Sequence, residues 1–155
     1  MAEYYTQFSF AINHLNADEI VWAEKLQEFL GRDPDDDIET EPEFEGIIED
    51  DCYASVAVDI EDDIGGDYGL WVWSGDYGGG SPDEAALLVQ KFLARFRPTE
   101  VVAFEWANSC SKPRLDSFGG GAVVISATNI EWNSTSQWVY DMTRKLTEQR
   151  PDSEQ

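Results

Sequence analysis

Apolar and polar residues alternate from the start of the chain. Tyr4, Thr6, Phe8, Phe10 and Ile12 share one face, and Tyr5, Gln7, Ser9 and Ala11 the other, which predicts a strand over residues 3–12. The period then changes. Asn16 followed by Glu19 is a capping-box pattern, and Ile20, Ala23, Leu26 and Leu30 fall on one helical stripe that Gly31 ends. Residues 33–42 are too charged to bury and read as a loop. Phe44 to Glu49 reads as a short strand, and Tyr53 to Asp62 as a longer one with Ala54, Val56, Val58 and Ile60 inward. After a turn at 64–67, Tyr68 to Ser74 forms another strand, with Leu70 and Val72 on one face and Trp71 and Trp73 on the other.

Ser81, Pro82 and Glu84 supply an N-cap, a first-turn proline and an N3 glutamate, so a helix runs to about Phe96 with Ala85, Leu88, Val89, Phe92 and Phe96 on its stripe. Val101 to Ala107 and Gly121 to Thr128 read as strands flanking a loop at 109–118. Ser134 with Gln137 caps a final helix carrying Trp138, Met142 and Leu146. The order β-α-β-β-β-α-β-β-α predicts an α+β fold: a mostly antiparallel sheet of about six strands, with about three helices mainly on one face. Residues 1–150 are expected to form one domain, and 151–155 a frayed tail.

Charge changes the picture more than composition does. The chain has 155 residues, 42% of them hydrophobic, enough for a core. Its net charge is −22, from 32 acids against 10 Lys and Arg. Residues 33–90 hold nineteen of those acids and no Lys, Arg or His, while the remainder has 13 acids facing all 10 bases. Such a surface repels nucleic acid and anionic lipid, so direct binding to either is not expected. No apolar run reaches the roughly 18 residues of a membrane span. Met1 to Tyr5 lacks the basic-then-apolar start of a signal peptide. Two cysteines, Cys52 and Cys110, make no disulfide framework, and a reducing, cytoplasmic setting follows.

Candidate chemistry is sparse. An extended run of Glu39, Glu41, Glu43 and Glu45 would place same-side carboxylates about 6.6 Å apart, near twice the ~3.4 Å phosphate rise of one DNA strand. A site built for phosphates would accept such a row. The acid is equally consistent with a solvated face or with adaptation to salt, although salt adaptation spreads acid over a whole surface. The partner-binding candidates are Asp35, Asp36, Asp37, Glu39, Glu41, Glu43, Glu45, Glu49, Asp50, Asp51, Asp59, Glu61, Asp62, Asp63 and Asp67. Trp71 and Trp73 join them as interface anchors, unless residues 33–50 fold over them as core.

Residues 59–67 space oxygen ligands as a calcium loop does, but Ile64 stands at the sixth position and Leu70 at the twelfth, so an acidic hairpin turn is expected and no metal or other cofactor. His14 is the sole histidine, and nothing places it beside Cys110 or a serine. Glu105 and Glu131 lie beside tryptophans, as glycoside-cleaving carboxylates do, yet a chain this rich in both yields such pairs by chance. The runs Gly78–Gly80 and Gly119–Gly121 match no phosphate-binding motif and read as hinges or strand-entry kinks. No catalytic residue is assigned.

From Phe104 to Trp132 the chain reads FEWANSCSKPRLDSFGGGAVVISATNIEW, followed by Trp138. This resembles small uncharacterised proteins carried by bacteriophages and plasmids, over roughly the last third of the chain, and the resemblance implies no catalytic residue. In charge the chain is similar to phage and plasmid DNA mimics that block restriction or CRISPR effectors, and to small acidic immunity proteins that plug nuclease toxins. The expectation is a non-enzymatic inhibitor whose partner is a basic, nucleic-acid-acting protein. The alternatives are a carboxylate-based hydrolase, with or without a divalent metal, and a salt-adapted structural protein.

Overall fold

The computed structural model describes residues 2–36, 39–49, 52–62, 67–76 and 78–150. Two antiparallel sheets share one hydrophobic core. The first has the order β1-β5-β6-β7, from β1 (Tyr4–Gln7), β5 (Val102–Cys110), β6 (Gly119–Ile125) and β7 (Ile130–Ser134). The second has the order β2-β4-β3, from β2 (Ser9–Ile12), β4 (Tyr68–Trp73) and β3 (Ala57–Asp62). The helices are α1 (Ala17–Leu30), α2 (Pro82–Phe96) and α3 (Thr135–Glu148). The fold class is the expected α+β, with seven strands in two sheets.

The expected strand over residues 3–12 exists but breaks at Phe8. Its first half pairs with β5, Tyr4 opposite Cys110, and its second with β4, Ser9 opposite Trp73. Phe8 lies at the corner, 5% exposed, with its ring centroid 5.5 Å from that of Phe104. Phe10 stacks on the same Phe104 ring at 4.4 Å and 3°. One continuous strand would carry a single set of apolar side chains in one plane. Bending it lets both sheets turn their inner faces onto the same aromatics.

Helices α1 and α2 fill the space inside. Their capping signals work as the sequence implies. The Asn16 side chain accepts from the Glu19 N–H, and the Glu19 carboxylate accepts from the Asn16 N–H. The Ser81 hydroxyl accepts from the Glu84 N–H. Trp22 packs edge-on against Phe44, Phe92 and Phe96, with centroids 5.3, 5.6 and 6.0 Å away. Glu19 is 2% exposed and would be costly there as an isolated charge. Arg97 compensates it: Nε donates to Glu19 Oε2 at 2.8 Å, and Nη2 donates to the carbonyls of Asn13 and His14 at 2.9 and 3.0 Å. His14 sits at φ 61°, the left-handed region, where those hydrogen bonds hold the turn into α1.

Two local expectations are corrected and a third is narrowed. Residues 44–49 form no strand. A 3-10 turn at Pro42–Phe44 instead lets Phe44, Ile47 and Ile48 drop into the core, because an unpaired strand beside two helices would leave its backbone unsatisfied. The glycines 119–121 are the first residues of β6, which fits the expected strand entry and not a hinge. A Cβ at Gly121 would strike the Trp106 ring and the Asn133 carbonyl oxygen, so glycine here permits close approach. Finally, β7 appears where only a connection was expected, and it brings Trp132 to Trp106 at 5.7 Å and 73°. The part of the expected 64–67 turn before Asp67, and the expected tail at 151–155, lie outside the described residues. No helix among the described residues is long and apolar enough to cross a membrane.

Phe44 is 1% exposed and joins the acidic segment to α1 and α2. Replacing it with alanine is expected to lower unfolding stability by about 3–5 kcal/mol in urea titrations, the usual cost of emptying a buried phenylalanine site. A loss below about 1 kcal/mol would show that the segment is not part of the cooperative core.

Candidate functional site

The same burial that anchors residues 42–48 turns their charged neighbours outward. Between this segment and the start of α2 lies a cleft of ≈ 970 Å³. Phe29, Arg32, Glu45, Glu49, Cys52, Tyr53, Asp83 and Glu84 are among the residues that line it. Two ion pairs staple the segment in place: Arg95 Nη1 to Glu43 Oε1 at 2.5 Å, and Lys25 Nζ to Glu41 Oε1 at 3.7 Å. Arg32 Nη1 donates to the Thr40 hydroxyl, and its guanidinium lies over the Phe29 ring at 4.3 Å.

Asp33 begins a tight turn: its carboxylate accepts from the Asp35 N–H at 2.9 Å, and its carbonyl from the Asp36 N–H at 3.0 Å. This turn brings three carboxylates around Tyr53. The Tyr53 phenol is raised above its ordinary pKa, first by the Asp33 charge, then by desolvation and the Asp33 hydrogen bond, and further by Asp35 and Asp36. Asp33, Asp35, Asp36, Glu45, Glu49 and Asp83 are all solvent-exposed. Glu45, Glu49 and Asp83 border the cleft, and Asp33, Asp35 and Asp36 join them through Tyr53, so the six form one acidic rim beside it.

Glu84 is set deeper. It accepts from the Ser55 N–H at 3.0 Å, tying the loop before β3 to the first turn of α2. Its pKa is raised above the ordinary carboxylate value, chiefly by burial and also by repulsion from Glu49 and Asp83, while the hydrogen bonds of Ser55 and Ser81 oppose the rise.

The structure redistributes the expected partner-binding residues. The evenly spaced row of Glu39, Glu41, Glu43 and Glu45 does not exist. The 3-10 turn interrupts it, Glu41 and Glu43 turn to Lys25 and Arg95, and Glu45 points into the cleft. Asp59, Glu61, Asp62 and Asp67 belong to the β3–β4 hairpin instead. There Asp59 accepts from Gln27 Nε2 at 2.7 Å, and Asp67 Oδ2 lies 2.9 Å from His14 Nδ1. Asp37, Asp50, Asp51 and Asp63 lie outside the described residues.

Trp71 and Trp73 stack on each other at 4.0 Å and 12°, on the face opposite Leu70 and Val72. Residues 39–49 pack toward α1 and α2, not over this pair, which stays half-buried with Asp59 directly across the strand pair from Trp71. Trp71 Nε1 donates to the Ser9 hydroxyl at 2.8 Å. Sequence reasoning missed Asp33, Tyr53 and Asp83 as parts of the acidic rim. The Tyr53 ring gives no pattern on its own, and Asp83 looks like routine helix capping.

Among the described residues His14 is not paired with a cysteine or serine side chain. His14 meets Asp67 and the Arg97 guanidinium, and neither contact involves a cysteine. Glu105 and Glu131 are separate exposed positions; Glu105 borders a groove beside α3, and Glu131 accepts from Asn129. Among the described residues no three His, Cys, Asp or Glu converge as ligands for a metal ion. The chain matches no family model, no curated protein and no solved structure.

The raised Glu84 pKa has a testable sign. The folded state holds that proton more tightly than the unfolded chain, so Glu84 contributes less stability as pH rises from 4.5 through its higher folded value. Glu84→Gln keeps the acceptor for Ser55 and removes the charge. Its stability relative to the wild type should therefore grow between pH 4.5 and neutrality in denaturant titrations. An unchanged difference across that range would contradict the assignment.

Proposed function

We propose that this chain is a non-enzymatic acidic protein that binds a basic, nucleic-acid-acting protein and occupies its phosphate-binding surface. The carrying observation is the acidic cluster: Glu45, Glu49 and Asp83 border one cleft, Asp33, Asp35 and Asp36 gather about Tyr53 at its side, and Phe44, Ile47 and Ile48 fix the intervening segment to the core. A pre-ordered array loses little entropy when a partner binds, and its field steers a positive surface toward it. The likeness to nucleic acid then lies in clustered charge rather than in phosphate-matched spacing, since the regular row is absent. The stacked Trp71 and Trp73, beside Asp59, supply a separate aromatic platform for arginine or lysine. Cys52 and Cys110 are both free, which suits the reducing cytoplasm of a host cell carrying a phage or plasmid.

The test is capture followed by competition. The tagged chain is exposed to nuclease-treated host lysate at low salt, and bound proteins are eluted with a salt ramp. The expected result is a discrete DNA- or RNA-acting protein that duplex oligonucleotide displaces. A variant with Asp33, Asp35, Asp36, Glu45 and Glu49 changed to Asn or Gln should lose it while keeping the wild-type circular dichroism. Equal retention by that variant, or the same proteins on an unrelated acidic column, would defeat the proposal.

A further inference from the structure

Helix α3 carries an apolar stripe that the described residues leave uncovered. Trp138, Val139, Met142 and Leu146 form one stripe of α3, with Asp141, Arg144 and Glu148 on the far side. Helices α1 and α2 each bury six residues, whereas α3 buries none. Trp138 is 58% exposed and Leu146 64%. A helix of 14 residues is marginal in water without such burial, so its order depends on a partner surface.

The geometry beside it shows the shape of what is missing. Phe104, Val123 and Ile125 face the core, so Glu105 and Ala122 face outward from the four-stranded sheet. A groove of ≈ 650 Å³ lies between Trp138 and Val139 of α3 and the Gly119–Ala122 end of β6, bordered also by Glu105 and Trp106. The sheet also ends here. β7 pairs only with β6, and its outer edge carries neither lysine nor proline to discourage further pairing.

Charge selects the occupant. Residues 101–150 contain five acids and five bases, whereas residues 1–100 contain 25 acids and five bases. Two copies of a chain with net charge −22 repel each other everywhere except where the charge vanishes, and that is this face. A strongly basic partner gains nothing electrostatically here. On the α3 stripe itself Trp138, Val139 and Leu146 are 55–64% exposed, an apolar surface that a second copy of the same stripe would cover.

We propose that two copies of this chain form a two-fold dimer through this face. The β7 edges pair antiparallel, joining two four-stranded sheets. The α3 helices lie side by side across the axis, and the Trp138–Leu146 stripe of each closes the groove of the other. The same patch serves both copies, so the assembly is closed and does not grow further. The acidic rims stay outside the contact, and the inference stands independently of what they bind.

Sedimentation equilibrium of the full chain at micromolar concentration and moderate salt should give twice the 17.5 kDa chain mass. Trp138→Asp and Leu146→Asp should each return it to a monomer with the helix signal retained, while Tyr53→Ser, on the acidic side, leaves the dimer intact. In the wild type, amide hydrogen exchange at β7 and α3 should slow as concentration rises. A monomer at both low and high salt would overturn the proposal, as would a dimer that survives both α3 substitutions or exchange at β7 that ignores concentration.

Discussion

A chain with 32 acids and 10 bases must spend its cations carefully, and the Glu19–Arg97 pair is where that constraint is met inside the fold. Glu19 is buried because it is the N3 residue of α1 and its carboxylate caps the Asn16 N–H. An uncompensated charge there would oppose folding. Arg97 lies just past the end of α2, so the pair joins the start of one helix to the end of the other. The same guanidinium holds the carbonyls of Asn13 and His14 and lies 5.3 Å from the Phe92 ring centroid. The β2–α1 turn, both helices and the aromatic core are thus fixed through one side chain.

The remaining cations near the acidic segment follow the same logic on the surface. Lys25 and Arg95 reach across from α1 and α2 to Glu41 and Glu43. Exposed pairs of this kind contribute little stability, about 0–1 kcal/mol each. Their larger effect is positional. With Phe44, Ile47 and Ile48 buried, they orient the loop so that Glu45 and Glu49 face the cleft. Charge density on the rim is therefore a product of core packing, because the apolar residues of the segment decide which acids point outward.

Much of the fold was legible from local pattern. Asn16, Ser81 and Ser134 announced three helices, and side-chain capping is present at each. The alternation through Val56, Val58, Leu70 and Val72 placed the hairpin faces correctly. What failed depended on distant neighbours. Phe8 breaks a strand whose alternation continues unbroken through the corner, because the reason for the break is Phe104. Phe44, Ile47 and Ile48 look like part of a strand but are spaced to reach into a helix pair. The short β7 run lacks strong alternation and is defined by pairing with β6. The acidic candidates were visible as composition, but their division between the cleft rim and the β3–β4 hairpin was not, since only Tyr53 and α1 show how they separate.

The bent strand at the N-terminus also governs the order of events during synthesis. Residues 4–7 find their partners only at 107–110, while residues 9–12 pair with 70–73. A ribosome adding roughly 5–20 residues per second exposes the first strand for several seconds before β5 emerges. During that interval the β2–β4–β3 sheet can close first, leaving β1 as a waiting edge. The four-stranded sheet is then completed late, by the last third of the chain, which carries almost none of the net charge, so the acidic portion can organise itself before the neutral portion arrives to cover its open strand.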